Sequence, residues 1–257
     1  MDDASVRVMT WNIHGGVGLD GVRDFQRVAD QIASLKPDIL ALQEIDRRTP
    51  EASLSSLLQG VFAYESVDAA SIRTADGEYG QMLLSRWPVD EPNVHDISVP
   101  GCEPRRLISA IVQSPAGPVH VLATHLGLRF AERRAQATIL CELASRPGMT
   151  TIALGDFNDW FRWRSIQTMM GKVFPARTTQ RTFPSRLPLL ALDRIYCLPA
   201  ECLVQSHVVA DAAWLSDHLP LVASVRVRGS HNSSRPISAI LGSGSAPPVE
   251  LDAGPRE

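Results

Sequence analysis

The sequence predicts an α/β domain, and three observations predict it. Apolar runs of strand length recur along the chain, stretches of helical periodicity separate several of them, and nearly every run ends on a polar side chain. The first unit shows all three. Val6-Arg7-Val8-Met9-Thr10-Trp11 alternates and is rich in strand formers, then meets Asn12-Ile13-His14-Gly15-Gly16, where the glycine pair marks a turn or a phosphate-sized gap. Val22, Phe25, Val28, Ala29, Ile32 and Leu35 recur at helical spacing, and Lys36-Pro37 closes that helix. Asp38 to Gln43 reads as a buried strand with Glu44 at its carboxyl end. Strand, helix, strand, with polar residues delivered at the strand ends, is the geometry that gathers a site along the C-terminal edge of a sheet.

The later segments repeat the pattern. Gly80 to Ser85 reads as a strand before Arg86-Trp87-Pro88, and Leu107–Val112 and Val119–Thr124 read as a hairpin joined through Ser114-Pro115-Ala116-Gly117. The second of these ends in Thr124-His125-Leu126-Gly127. An amphipathic helix follows, with Ala131, Ala135, Ile139 and Leu143 on one face and Glu132, Arg133 and Arg134 expected to point elsewhere. Thr151 to Leu154 is a short buried strand. Arg194–Cys197, Cys202–Val208 and Leu219–Val227 complete the set. Residues 66–79, 86–106 and 159–190 read as loops. From Gly229 onward the chain is rich in Gly, Ser and Pro without a sustained apolar period, so 1–228 reads as one domain and 229–257 as a flexible tail.

Composition narrows the function. The 257 residues carry 44% hydrophobic and 21% charged side chains, ordinary for a globular protein that can bury a large core. Lys and Arg number 25 against 28 Asp and Glu, a net charge of -3, so attraction of a polyanion has to be local. No signal-peptide-like apolar segment and no run long enough to span a bilayer is present, and the four cysteines lack a C-x-x-C spacing. The expectation is a cytoplasmic monomer with reduced thiols.

The stretch that organises the chain is Leu154-Gly155-Asp156-Phe157-Asn158-Asp159. Asp156 and Asn158, two apart on extended backbone, are expected to project to one side, and Gly155 to leave room for a substrate against the main chain. Two hard-oxygen side chains suit Mg²⁺. Alone, Gly-Asp-x-Asn is a common turn signature. Its company decides otherwise: Asn12, Glu44, His125, Asp193, Asp217 and His218 also flank apolar strands, where charge is costly unless a cation or hydrogen bonds compensate it.

Six motifs, Thr10-Trp11-Asn12-Ile13-His14-Gly15, Leu42-Gln43-Glu44, Thr124-His125-Leu126, Gly155-Asp156-Phe157-Asn158, Leu192-Asp193-Arg194-Ile195 and Ser216-Asp217-His218-Leu219-Pro220, occur in this order. Their order resembles that of the endonuclease/exonuclease/phosphatase superfamily, the DNase I-like Mg²⁺-dependent phosphoesterases, across about residues 6–227. The segments Gly80–Pro88 and Glu103-Pro104-Arg105 are similar to those of small bacterial members. The resemblance implies a four-layered α/β/β/α sandwich of two packed mixed sheets flanked by helices. It implies Glu44 as the principal Mg²⁺ ligand (Mn²⁺ a possible substitute), helped by Asp217, with Asn12 near metal and phosphate. It further implies Asp156 as the group that orients or deprotonates water, Asn158 and His125 as phosphate contacts, and His218 as a phosphate contact oriented by Asp193.

Several residues keep two readings at this stage. Arg105 and Arg106 either clamp substrate phosphate or cap a strand end, with Arg105 the candidate substrate contact. Trp160 and the arginine–aromatic run Asp159–Arg164 either stack bases, touch a lipid head-group region, or pack against the sheet. Arg129, Arg133 and Arg134 read as substrate contacts or as a solvated helix face. His14 lines the pocket or serves it, His120 reads as a satisfied core histidine, and Glu78 as a loop acid. The substrate expectation is a phosphodiester in nucleic acid, with a phospholipid head group or small phosphate ester as the alternative and a non-catalytic binding domain as the remote one.

Overall fold

The computed structural model describes residues 5–48, 54–61, 65–160 and 165–228. β1 (Ser5–Asn12) leads through α1 (Phe25–Leu35) to β2 (Ile39–Asp46), which lies parallel to it with Val8 opposite Ile39. α2 (Leu54–Val61) and the hairpin of β3 (Glu65–Thr74) and β4 (Gly77–Ser85) follow. The second half repeats the scheme: β5 (Val89–Asp96), β6 (Arg106–Ser114), β7 (Gly117–His125), α3 (Phe130–Leu143) and β8 (Thr150–Asp156), with β7 and β8 parallel. α4 (Gln167–Val173), β9 (Ala176–Arg177) and β10 (Asp193–Leu198) complete that sheet, and β11 (Leu203–Val208) and β12 (Leu221–Arg226) return to the first. The strand orders are β11-β12-β1-β2-β4-β3 and β5-β6-β7-β8-β10-β9. Each mixed sheet has one parallel pair at its centre, joined by a helix.

Period-two alternation builds the four layers. Val6 and Val8 of β1, Ile39 and Ala41 of β2, Val119 and Val121 of β7, and Ile152 and Leu154 of β8 meet between the sheets in one core. The alternate residues face the helices. Met9, Trp11, Leu40 and Leu42 pack with Val28 and Ile32 of α1, while Leu122, Ala153 and Tyr196 pack with Ala137 and Leu140 of α3 and Met170 of α4. α1 begins later than its periodicity suggests. Asp24 caps it by accepting from the backbone N–H of Gln26 and Arg27, leaving Val22 exposed outside the helix.

Three departures from the sequence reading have physical causes. Parts of the stretches read as loops are strands, namely β3, β5 and β9, and all three lie at or beside sheet edges. β3 buries only Ala69 and β5 buries none of its residues, so the burial pattern that marks an inner strand is missing. β5 also carries a register shift between Asp90 and Asn93, with Glu91 at φ +49°, which breaks its alternation. Second, α3 is turned about its axis relative to expectation. Ala131 and Ala135 are exposed, whereas Glu132, Arg133, Gln136, Ala137 and Leu140 are buried, because the three polar side chains brace the loops at the strand ends. The solvated-face reading of Arg133 therefore fails. Third, Gly155 (φ +148°) faces the neighbouring strand rather than a substrate: a Cβ there would drive into the Thr124 carbonyl of β7. The tail 229–257 and residues 161–164 lie outside the described residues.

Gly155→Ala is expected to cost about 2–4 kcal/mol in denaturant unfolding, because both the backbone conformation and the neighbouring strand reject a side chain. Gly101→Ala, at φ +76° with nothing within 4 Å of the added carbon, is expected to cost only about 1 kcal/mol. Equal losses for the two would show that β7 and β8 part easily at this point.

Candidate active site

The alternation that fills the inter-sheet core also delivers the site. Continuing each inward-facing series to the strand end gives Asn12 after Val6 and Val8, His125 after Val119, Val121 and Ala123, and Asp156 after Ile152 and Leu154. Asp193 starts the inward series that continues in Ile195 and Cys197. Registers then align three of them. His125 stands opposite Asp156 in the β7–β8 pair, and Asp193 stands opposite Asp156 in the β8–β10 pair. A row of imidazole, carboxylate and carboxylate thus crosses three neighbouring strands where the two sheets open. The facing sheet closes it: the Asn12 amide donates to Asp156 Oδ2 at 3.2 Å and to Glu44 Oε1 at 2.9 Å.

Glu44 reaches this mouth against its own parity. By alternation with Leu40 and Leu42 it belongs on the helix side, but the β2–β4 register shifts between Leu42 and Ile45 and Glu44 adopts φ +59°. The bulge re-aims the carboxylate toward Asn12. His14 (φ +50°) and Asn158 (φ +49°) hold the same uncommon conformation beside the site, so local backbone strain concentrates here. Asn158 is therefore not extended as the sequence reading had it. Its backbone N–H donates to Asp156 Oδ1 at 2.9 Å, and its amide donates to the Leu126 carbonyl at 2.9 Å, tying the end of β8 to the end of β7.

His218 enters from the turn before β12. Its Nδ1 lies 2.8 Å from Asp193 Oδ2, which orients the ring and leaves Nε2 turned to Asp156 Oδ2 at 3.8 Å. The carbonyl of His218 accepts from Trp11 Nε1 at 3.0 Å, its N–H reaches Ser216 Oγ, and its ring packs 4.9 Å from Phe183. Ser216 in turn donates to the Asn12 carbonyl at 2.7 Å, which staples this turn to β1. Burial opposes protonation of His218, yet Asp193, Asp156 and Asp217 together raise its pKa to about 10. Asp193 is fully buried, so the surface-pair reading with Arg194 fails; Arg194 instead donates to the Thr178 carbonyl.

His125 is held in the opposite state. Arg105 Nη1 lies 3.2 Å from His125 Nδ1 and can only donate, so the ring nitrogen must accept and the His125 proton resides on Nε2. That Nε2 is 3.5 Å from Asp156 Oδ2. Burial, then the charges of Arg105 and His218, press the His125 pKa well below its ordinary value. Arg105 is itself buried and paired with Glu103 at 3.2 Å. It also lines a cavity of about 190 Å³ bounded by Cys102, Leu128 and Arg129, so it both fixes His125 and borders open space. Arg106 is bound to Asp96 and Ser98, which is the strand-end role. Burial raises Asp156 to about 6, against the lowering influence of His218.

The remaining candidates divide. Asp217 is partly exposed and 3.7 Å from exposed His14. Asp159 turns inward, accepting from Ser165 Oγ at 2.5 Å and the Ile166 N–H, with Arg133 at 3.8 Å; Trp160 after it is half-buried. Arg162 and Arg164 lie outside the described residues. His120 is a core residue near Thr151, as expected, whereas Glu78 lies on β4 rather than in a loop and pairs across the strands with Arg73. Tyr79 was missed. This half-buried phenol on β4 is pushed to a higher pKa by burial and by the Glu44 and Glu103 carboxylates, so it stands protonated beside Glu44. Its only trace in the sequence is its place at the head of the Tyr-Gly segment before β4's apolar run.

The donor chemistry fits a hard divalent cation. Asp156, Asp193 and His218 offer ligand atoms within 4.8 Å of one another, Glu44 adds a carboxylate, and Asp193 Oδ1 is buried without a partner. His218 and Asp193 are engaged with each other, which leaves Glu44 and its neighbours as the oxygen-rich side.

Residues 9–218 match the model of the Endonuclease/Exonuclease/phosphatase family. The uncharacterized protein YbhP of Escherichia coli K12 is 30% identical, over 87% of this chain and 97% of its own. A structure of an endonuclease/exonuclease/phosphatase from Beutenbergia cavernae is similar with a TM-score of 0.69 at 23% identity, over 87% of this chain and 72% of that one. Humanized D. rerio TDP2 shares the fold with a TM-score of 0.64 at 16% identity, over 86% and 98% of the two chains. The chain belongs to the endonuclease/exonuclease/phosphatase family, whose members are metal-dependent phosphoester hydrolases.

Proposed function

We propose that this chain hydrolyses a phosphodiester by in-line attack of water, assisted by Mg²⁺ or Mn²⁺. The observation that carries the reading is the pair of histidines whose Nε2 atoms face Asp156 from two sides, one ring oriented by Asp193 and the other by Arg105. Glu44, with Asp217, would hold the cation, which when bound supplies Lewis-acid stabilisation of charge on the phosphoryl oxygens. Asn12 presents its N–H₂ to Glu44 and Asp156, so it steadies the two carboxylates relative to each other.

The other steps belong to side chains. Asp156 receives a proton from water: its raised pKa makes it a stronger base than an ordinary carboxylate while leaving it ionised at neutral pH. His218, a cation oriented by Asp193, donates from Nε2 to a phosphoryl oxygen as negative charge develops. His125, neutral with its proton on Nε2, donates from the other side. Asn158 holds the Asp156 turn and borders the phosphate position. No covalent intermediate is required.

Nucleic acid is the substrate class the sequence motifs put first, and the reaction chemistry serves a nucleic-acid or a lipid phosphodiester alike. The second reading, a phospholipid head group, gains from the exposed apolar side chains on the connections around the mouth.

His218→Ala and Glu44→Ala are each expected to lower kcat/KM on bis(p-nitrophenyl) phosphate with Mg²⁺ by about a hundredfold or more, and EDTA to abolish turnover. Retained hydrolysis in either variant would remove the mechanism. Asp193→Asn tests the orientation of His218. The raised His218 pKa means this pair stabilises the fold fully below the ordinary histidine value of 6.5, and that contribution fades as pH rises through about 10. With Asp193 neutral, burial dominates, so nitrogen-detected NMR should show His218 titrating at much lower pH, and the alkaline limb of the pH–rate profile should move down with it. An unmoved His218 titration would show that Asp193 does not set its charge.

A further inference from the structure

Eight large apolar side chains are exposed among the described residues, and they are not scattered. Val94 and Val204 sit on the edge strands β5 and β11. The other six, Leu19, Val22, Leu128, Leu187, Leu189 and Trp214, all belong to connections that leave or enter the strands at the active-site end. Leu19 and Val22 follow β1, Leu128 follows β7, Leu187 and Leu189 precede β10, and Trp214 precedes β12. The groups are physically linked to each other and to the site. The Leu19 N–H donates to the Trp214 carbonyl at 3.0 Å, and Ser185 Oγ donates to the Ala213 carbonyl at 2.8 Å. The Ser185 N–H donates to the Asp217 carbonyl at 2.7 Å. In the loop before β10, Phe183 turns inward against His218 while Leu187 and Leu189, 66% and 57% exposed, are held outward by backbone bonds to Pro184 and Phe183. Arg186 lies 4.5 Å over the ring of Trp214, so one end of that pair is apolar and the other charged.

We propose that this rim seats the active-site mouth on a phospholipid bilayer and that the scissile bond is a lipid head-group phosphodiester. The inference rests on the phosphodiester chemistry proposed above and deepens it by naming the substrate class. Aliphatic leucines do not stack bases, and a polynucleotide surface needs cations to neutralise its phosphates. Here three arginines near the mouth already face carboxylates, Arg27 meeting Asp20 at 2.8 Å, Arg48 meeting Asp46 at 2.8 Å and Arg105 meeting Glu103 at 3.2 Å, while Arg186 lies against Trp214. A bilayer interface instead takes Trp and Leu into its head-group and acyl boundary, with an arginine at head-group level. A second copy of the chain on this rim would close the mouth that substrate must enter. A bilayer covers the same rim while presenting its phosphates to it.

The test measures binding and turnover separately. Full-length protein is sedimented with vesicles of equal phosphatidylcholine and phosphatidylglycerol, and hydrolysis of vesicle lipid is compared with that of soluble bis(p-nitrophenyl) phosphate. Wild type is expected to pellet with the vesicles. Leu187→Ser/Leu189→Ser should weaken partitioning by about tenfold or more and lower the ratio of vesicle to soluble turnover similarly, whereas Val94→Ser/Val204→Ser should pellet like wild type. Wild type that stays in the supernatant yet cleaves the soluble diester overturns the docking surface, and nicking of supercoiled plasmid by that preparation would assign a polynucleotide. Pelleting that is lost in the Leu187/Leu189 variant, without turnover of either substrate, supports the docking surface and sinks the phosphodiesterase reading instead.

Discussion

Strand register is the constraint on which the rest depends. His125, Asp156 and Asp193 form one row because β7 pairs with β8 and β8 with β10 in registers that place them side by side. The same registers put Val121, Ile152 and Cys197, or Ala123, Leu154 and Ile195, side by side in the core between the sheets. A slip of one residue in β8 would turn Asp156 toward the helices and Ile152 and Leu154 with it. Core packing therefore supports the site, since a one-residue slip that misplaces the carboxylate also takes Ile152 and Leu154 out of the core between the sheets. Gly155 tightens this coupling, because only a residue without Cβ lets β8 lie against the Thr124 carbonyl.

The row then has to tolerate its own charge. Asp156 and Asp193 are buried, and a buried carboxylate is stable only when hydrogen bonds or counter-charge replace water. Asp193 is compensated by the His218 imidazolium, and Asp156 by N–H groups of Asn12 and Asn158. Two imidazoles in one small volume would repel each other if both were charged. Burial, with Arg105 occupying Nδ1 of His125, resolves this by keeping that ring neutral. One charged and one neutral donor are thus set by the second layer of side chains, Asp193 behind one and Arg105 behind the other.

Much of this was legible in the sequence, and the illegible parts share a cause. Asn12, His125, Asp156, Asp193 and His218 could be found because they end or begin apolar runs, and burial of the run carries over to its last residue. β3, β5 and β9 could not be found, because edge strands lack the inner burial that makes a run apolar. Glu44 was found by its motif neighbours, but its direction depends on a bulge whose register is set by β4, far along the chain. Tyr79 lies opposite Asp46 on the other strand of that pairing and was invisible for the same reason. The roles of Arg105 and Phe183 depend on contacts with residues distant in sequence, His125 and His218, which no local pattern encodes.

The inward polar face of α3 shows how far the fold is shaped by its loops. A helix bridging two parallel strands needs only an apolar stripe, yet α3 buries Glu132, Arg133 and Gln136 beside Ala137 and Leu140. Each polar group holds a connection at the mouth. Gln136 accepts from the Gly127 N–H at 2.8 Å and donates to the Ile97 carbonyl at 3.2 Å, while Arg133 donates to the Leu128 carbonyl and faces Asp159. Arg133 Nε makes no hydrogen bond and meets Asp159 Oδ1 only at 3.8 Å, which leaves a desolvation penalty in a side chain only 1% exposed. An aliphatic residue there would remove that penalty but would leave the Leu128 carbonyl and the Asp159 carboxylate without this donor. The loops after β7 and β8 carry His125 and Asp156 at their roots, so the helix fixes both ends of the central parallel pair. Its amphipathicity follows from that task rather than from the contrast between core and solvent, which is why counting alanines on its surface points to the wrong face.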